Sequence, residues 1–351
     1  MKKDAPTRLA AVARLLLGIV LGGGLAAGSA VAAEFKIATV APEGSQWMQD
    51  IRAAAGEIRD RTQGRVTIKL YGGGVMGNEK QVLRKIRSGQ LHGGAFTSGG
   101  LAQTYADIVI YGLPLVFRSP AEVTFVRERM DGELARGLEA AGFVSFGIAG
   151  GGFARIFGNE PVTGTESLRG RKVWVPDGDL ISAAAMQALH LSPVSLPITD
   201  VLTGLQTGLL DILAAPPVGV IALQWHTRVR YMTTQPMMYS CGLMAVDAKA
   251  FKRLSPPDQA VFREVMSAVY RRFDQQSIAD DKAARDAIQA AGIRVVEANV
   301  ADVTAWQDAM VTVNRELGAQ GVYSPRLLEE LQGHLQDYRR QHPAGDDAAR
   351  Q

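Results

Sequence analysis

Between Pro257 and Gly292 the chain carries neither proline nor glycine. The run opens on Ser255-Pro256-Pro257-Asp258. A serine there can cap a helix, and proline, with its fixed φ and missing N–H, suits the first helical position. About 36 helical residues would reach about 54 Å at 1.5 Å per residue. One small α/β domain is not that wide, so a helix of this length is expected to run from one domain into another. The length of 351 residues agrees, since domains of roughly 100–200 residues make it about two.

Composition matters mainly at the N-terminus. Lys2, Lys3, Arg8 and Arg14 precede an apolar stretch from Leu15 to Ala27, and Ala30-Val31-Ala32-Ala33 offers small residues for cleavage. This is the pattern of a secretory signal over residues 1–33, with a single membrane anchor as the alternative. Removing that segment leaves 34 basic and 34 acidic residues. The pI near 9.0 is therefore largely a property of the leader. The remaining chain has no net field for a polyanion, and nucleic acid is not an expected partner. Cys241 is the single cysteine, which excludes a disulfide framework and any cysteine-based zinc cluster within one chain.

The order of elements points to α/β architecture. Phe35–Val40 reads as a strand, Ser45–Arg61 as a helix, Val66–Tyr71 as a strand, Glu79–Arg87 as a helix and Leu91–Thr97 as a strand. This alternation predicts a parallel sheet. The same grammar returns in Lys172–Val175, Leu180–Leu189, Pro193–Leu196, Thr199–Gln206 and Leu209–Ala214. Later come a strand at Arg294–Glu297 and helices at Val303–Leu317 and Pro325–Arg340, and the polar end from His342 reads as disordered.

Catalytic constellations are missing. Gly72-Gly-Gly-Val-Met-Gly77 fits G-x-G-x-x-G, yet no acid lies between Glu79 and Asp107 to hold a ribose, so it reads as a plain glycine turn. His92, His190, His226, His334 and His342 form no ligand-spaced set, and no G-x-S-x-G elbow occurs. No cofactor and no metal are expected, and binding is favoured over catalysis. In open α/β sheets ligands sit beyond strand C-termini. That rule selects Trp47 after the first strand, Thr97 and Ser98 after the third, and Trp174 and Asp177 around Pro176. Trp225-His226 ends an apolar segment and joins them as a candidate. Core packing is the competing reading for the tryptophans, and for His226 a satisfied imidazole.

Several stretches resemble one family. Phe35–Ala41, Gly64-Arg-Val-Thr-Ile-Lys-Leu-Tyr71, Val75-Met-Gly77, Ile86-Arg-Ser-Gly-Gln90, Gly112-Leu-Pro-Leu-Val-Phe117, Leu168–Pro176 and Asp200–Asp211 occur in an order similar to that of the solute-binding subunits of tripartite ATP-independent periplasmic (TRAP) transporters. The resemblance covers about residues 34–340. It implies a periplasmic-binding-protein fold of two α/β lobes with a hinge, a long helix spanning both, and closure around one small-molecule ligand. It also implies a periplasmic location and hand-over to small and large permease subunits in the membrane. The family usually clamps a carboxylate with an arginine in K-[IV]-R-V-P, where Lys172-Val-Trp174-Val-Pro176 has tryptophan. A second family arginine, in G-x-x-R-x-x-x-N, is matched by Arg155 in Gly151-Gly-Phe-Ala-Arg155-Ile-Phe-Gly-Asn159 once the glycines slide. Arg155 is thus the expected partner of an acidic group, a surface salt bridge being the alternative.

The expected division is a signal peptide over 1–33, lobe I over 34–152 plus about 240–275, lobe II over 153–239 plus about 276–340, and a tail over 341–351. The expected function is capture of a small organic solute, an organic acid above others, by a monomer that performs no chemistry. A secreted hydrolase with a carboxylate pair and a ligand-sensing module for a membrane receptor are the rivals.

Overall fold

A computed structural model describes residues 32–342. Most of the expected leader and of the expected tail lies outside these residues. The chain begins with β1 (Ala33–Ala38), α1 (Gln46–Arg61), β2 (Val66–Tyr71), α2 (Glu79–Arg87) and β3 (Gly93–Thr97), followed by the single turn α3 (Ser98–Leu101). Local chemistry sets these boundaries. The Ser45 side chain accepts from the Met48 N–H at the start of α1, and Asn78 and Gln81 form a reciprocal capping box at the start of α2.

Next come α4 (Pro120–Ala140), β4 (Phe143–Ser145), β5 (Ala149–Gly158), β6 (Trp174–Pro176), α5 (Leu180–Ala188), β7 (Val194–Leu196), α6 (Val201–Thr207), β8 (Ile212–Ala215) and α7 (Pro217–Ala222). The chain then runs through β9 (Tyr231–Thr233), β10 (Met238–Asp247), α8 (Ala248–Lys252), α9 (Pro256–Ala290), β11 (Arg294–Val296), α10 (Val300–Ala319) and α11 (Pro325–Gln341).

The main sheet has the order β11-β9-β5-β10-β3-β1-β2, with β4 also on β10 and β8 also on β5. β1 is parallel to β2 and β3, as the alternation predicts. The centre is different: β10 is antiparallel to both β3 and β5, so the sheet is mixed. The ten-residue strands β5 and β10 have no neighbour in the local β-α-β order. Their partners are far away in sequence, and that pairing is what turns the parallel expectation into a mixed sheet. A second, two-stranded parallel sheet of β6 and β7 connects to β8 through a bridge between Val173 and Ile212.

Two apolar regions result. One is built from β1–β4, α1, α2, α4 and the first half of α9, with Phe262 of α9 edge-on to Phe35 at 5.3 Å and stacked on Phe146 at 5.0 Å. The other comprises two clusters around Phe157, Trp174 and Leu213, and around Ile156, Val173 and Trp306. This is the two-lobed α/β arrangement expected from sequence. Several elements pass between the regions, β5, β10 and α9 among them. Phe153 of β5 packs in the first and Phe157 in the second, and β10 runs alongside β5. Helix α9 buries Phe262, Met266 and Tyr270 in the first and Ile288 in the second. Its 35 residues form the spanning helix that the uninterrupted run demands. Of the C-terminal helices, α10 buries Trp306 in the second region and Met310, Val313 and Leu317 in the first, and Leu327, Leu331 and Leu335 of α11 pack in the first.

Candidate functional site

A cavity of about 470 Å³ lies between the two apolar regions, within the size range of small-molecule sites. Its floor is the hinge pair, with Ala154 and Ile156 of β5 and Tyr239 and Cys241 of β10. One wall carries Thr97, Ser98 and Glu79, the other Trp174, Pro176 and Trp225.

Five expected residues line this space: Thr97, Ser98, Trp174, Asp177 and Trp225. The tryptophans serve packing and the site together. Trp174 is 6% exposed and Trp225 3%, and their rings meet edge to face at 5.4 Å. The Trp174 indole donates to the Leu196 carbonyl at 2.9 Å, which holds the ring in one orientation. Gln224, at φ 60 in the left-handed region, turns the chain just ahead of Trp225. Asp177 stands at the end of β6 and accepts from the Lys80 ammonium at 2.7 Å. Lys80 belongs to α2, whose core residues Val82, Leu83 and Ile86 pack in the first region. The pair therefore joins the two sides of the cavity. A Cβ on Gly74 would come within 3.1 Å of Thr199, a second approach between the same two sides.

Three expected residues are elsewhere. Trp47 stacks on Phe273 of α9, with ring centres 6.4 Å apart. His226 is turned toward the Val220 carbonyl, 3.4 Å from Nδ1. Arg155 is on the far face of β5. Its neighbours Ala154 and Ile156 line the cavity, successive strand residues point to opposite faces, and the charges acting on Arg155 are Arg285 and Asp281 of α9. The motif match required the glycines to slide, and in a strand a slide of one residue exchanges the faces.

Sequence reasoning missed Glu79. It is the first residue of α2, just beyond the glycine loop after β2. Its carboxylate accepts from the Thr97 N–H at 2.6 Å and from the Thr97 hydroxyl at 3.1 Å. Burial among apolar walls outweighs these two bonds and pushes its pKa up to about 7. Gly100 permits the approach, because a Cβ there would lie 2.4 Å from the Glu79 carboxyl. The switch-point rule, applied to the β2–α2 loop as it was to β1 and β3, would have found this residue. Tyr239 and Cys241 were missed with β10 itself. Burial pushes the Cys241 thiol up to about 11, far from a thiolate nucleophile at neutral pH.

The charged side chains among the described lining residues are Glu79, Lys80, Asp177 and Asp179. Asp179 caps α5, accepting from Ile181 and Ser182, and Asp177 is paired with Lys80. No group of three or more His, Cys, Asp or Glu among the described residues is arranged to hold a metal. The arrangement can enclose an organic molecule against aromatic faces and fix it by a few hydrogen bonds.

The sequence model of the bacterial extracellular solute-binding proteins of family 7 matches residues 37–320. A Haemophilus influenzae protein of uncharacterized function is 23% identical over 209 residues, which are 59% of this chain and 63% of that protein. The chain thus spans a little under two thirds of that relative's length. The 2,3-diketo-L-gulonate-binding periplasmic protein of Escherichia coli K12 is 22% identical over 286 residues, 78% of this chain and 85% of that one. A crystal structure of a TRAP periplasmic solute-binding protein from Xanthobacter autotrophicus with bound β-D-galacturonate superposes with a TM-score of 0.77 at 19% identity, covering 86% of this chain and 98% of that one.

Proposed function

Since this chain belongs to the bacterial extracellular solute-binding proteins of family 7, a class of binding proteins rather than enzymes, we propose that it captures one small organic solute in the cavity between its lobes. We propose further that it works in the periplasm as a monomer, after removal of a leader over residues 1–33, and delivers the solute to the small and large membrane subunits of a TRAP-type transporter. The observation that carries this reading is the position of the cavity. It lies over β5 and β10, which with α9 carry the chain between the two apolar regions. A ligand held there contacts both sides at once and so favours the closed state.

The solute class we propose is an organic acid with a ring or apolar body. The names of the relatives, a diketo-gulonate binder and a galacturonate complex, support the acid. Trp174, Trp225 and Tyr239 support the body, since aromatic faces suit rings. The contact set proposed is Trp174, Trp225, Thr97, Ser98 and Asp177, with Glu79 and Tyr239 added. The acid group then lies toward the mouth, where Lys80 is the cation among the described lining residues. Native mass spectrometry of freshly purified protein identifies a co-purified solute. Calorimetric titration of that solute beside an uncharged analogue tests the class, and small-angle scattering tests closure. An uncharged analogue that binds as tightly as the acid refutes the acid, and a bound solute that leaves the scattering unchanged refutes closure.

A further inference from the structure

Arg155 has lost its expected place at the solute and has no obvious partner elsewhere. It lies where β5 passes between the two apolar regions, and across from it α9 makes the same passage with Asp281 and Arg285. Arg285 Nε is 3.2 Å from Asp281 Oδ2, one turn away on α9. Arg155 makes no hydrogen bond and no ion pair within 4 Å among the described residues. Its Nε, the Oδ1 of Asp281 and the Nε of Arg285 are all shut off from solvent without a hydrogen-bond partner. Burial and the Arg285 charge both work against the Arg155 guanidinium, and Asp281 works for it. A desolvated cation left without a partner destabilises the arrangement that contains it.

Two of these three orphans are complementary. Arg155 offers a free donor and Asp281 a free acceptor, and they stand on two of the elements that connect the lobes, where lobe movement is absorbed. In this structure Lys80 and Asp177 bridge the mouth and hold its two sides together, as a closed arrangement requires. We propose that Arg155 is a positioning residue of the hinge, which pairs with Asp281 when the lobes open and loses that partner when they close. The pair then favours the open state, and closure around a solute stores the lost interaction for later release. This rests on the reading of the protein as a closing solute binder, but not on the identity of the solute.

The test needs no solute. Spin labels on Glu57→Cys and Arg169→Cys report the separation of the two sides by pulsed electron paramagnetic resonance, and the native Cys241 is buried. In the solute-free protein, Arg155→Gln and Arg155→Met should each lower the ratio of open to closed molecules. The expected factor is about 10 to 100, the worth of a charged hydrogen bond. Arg155→Lys keeps the cation and should retain most of the open population. The two neutral variants remove a cation that is unpaired in this structure, so folding is not what they put at risk. Distance distributions that do not change in the neutral variants overturn the proposal. So does an Arg155→Lys distribution shifted as far as that of Arg155→Gln. Failure of the solute-binding reading would be seen separately, as label distances that respond to Arg155 but to none of the organic acids tried.

Discussion

Replacing Glu79 by glutamine should make the protein more stable, and increasingly so as the pH rises. In the folded chain the Glu79 pKa is pushed up to about 7 from an ordinary 4.5, with burial as the dominant cause. The unfolded chain ionises this carboxyl first. Between about pH 4.5 and 7 the folded state therefore holds more protons than the unfolded state, and stability falls as the pH rises. Below that window both states are protonated and nothing is lost. At about 1.4 kcal/mol per pH unit, the full loss above pH 7 is about 3 kcal/mol. That is an upper bound, because the carboxyl borders the cavity and water there can solvate it. Glutamine has nearly the same volume, stays neutral throughout, and can still accept the Thr97 N–H. Urea unfolding followed by tryptophan fluorescence at pH 5, 6, 7 and 8 measures the effect. The difference between Glu79→Gln and the parent cancels every other titrating group. It should grow by roughly 2–3 kcal/mol across that range. A difference that stays flat within about 0.5 kcal/mol, near the extrapolation error, would refute the account of Glu79 as a carboxyl desolvated by the cavity.

Trp174→Ala removes a buried ring, its hydrogen bond to Leu196 and its edge-to-face contact with Trp225; it should cost about 3–5 kcal/mol of stability and weaken the solute by on the order of 2 kcal/mol, while Trp174→Phe recovers most of the affinity in calorimetry. Arg127 is 6% exposed and is bonded to Asp131, Asp274 and the Ile148 carbonyl. Its replacement by methionine should cost about 3 kcal/mol in urea unfolding, the low end for a broken buried pair, because both carboxylates retain some access to water. Lys80→Gln breaks the bridge across the mouth, whose partners are each 39% exposed. The bridge alone accounts for roughly fivefold in the rate of solute release at most; with the cation beside the proposed acid group lost as well, stopped-flow release should speed up by more than that, and the effect should weaken at high ionic strength.

What could be read along the chain was whatever short-range chemistry decides. The bounds of α2 follow from the Asn78 cap and the following apolar period, and those of β2 from its alternation. The length of α9 follows from a run without proline or glycine. Each is a matter of neighbouring residues, and so was the count of two lobes, because a helix of that length needs two bodies to lie on. The antiparallel strands β5 and β10 were not legible in this way. Each is defined by a partner about ninety residues distant, and no local period announces it. The site divided along the same line. Thr97 and Ser98, picked by the rule for strand ends, and Trp174, picked beside Pro176, line the cavity. Trp47 obeyed that rule too, but α9 folds over it and Phe273 takes the ring. Glu79 and Arg155 depended most on the tertiary structure. A carboxyl at a helix start is ordinary until the fold buries it beside Thr97 and Gly100. An arginine in a strand faces the solute or the hinge according to a phase of one residue, and that phase is set by which distant strands pair with it.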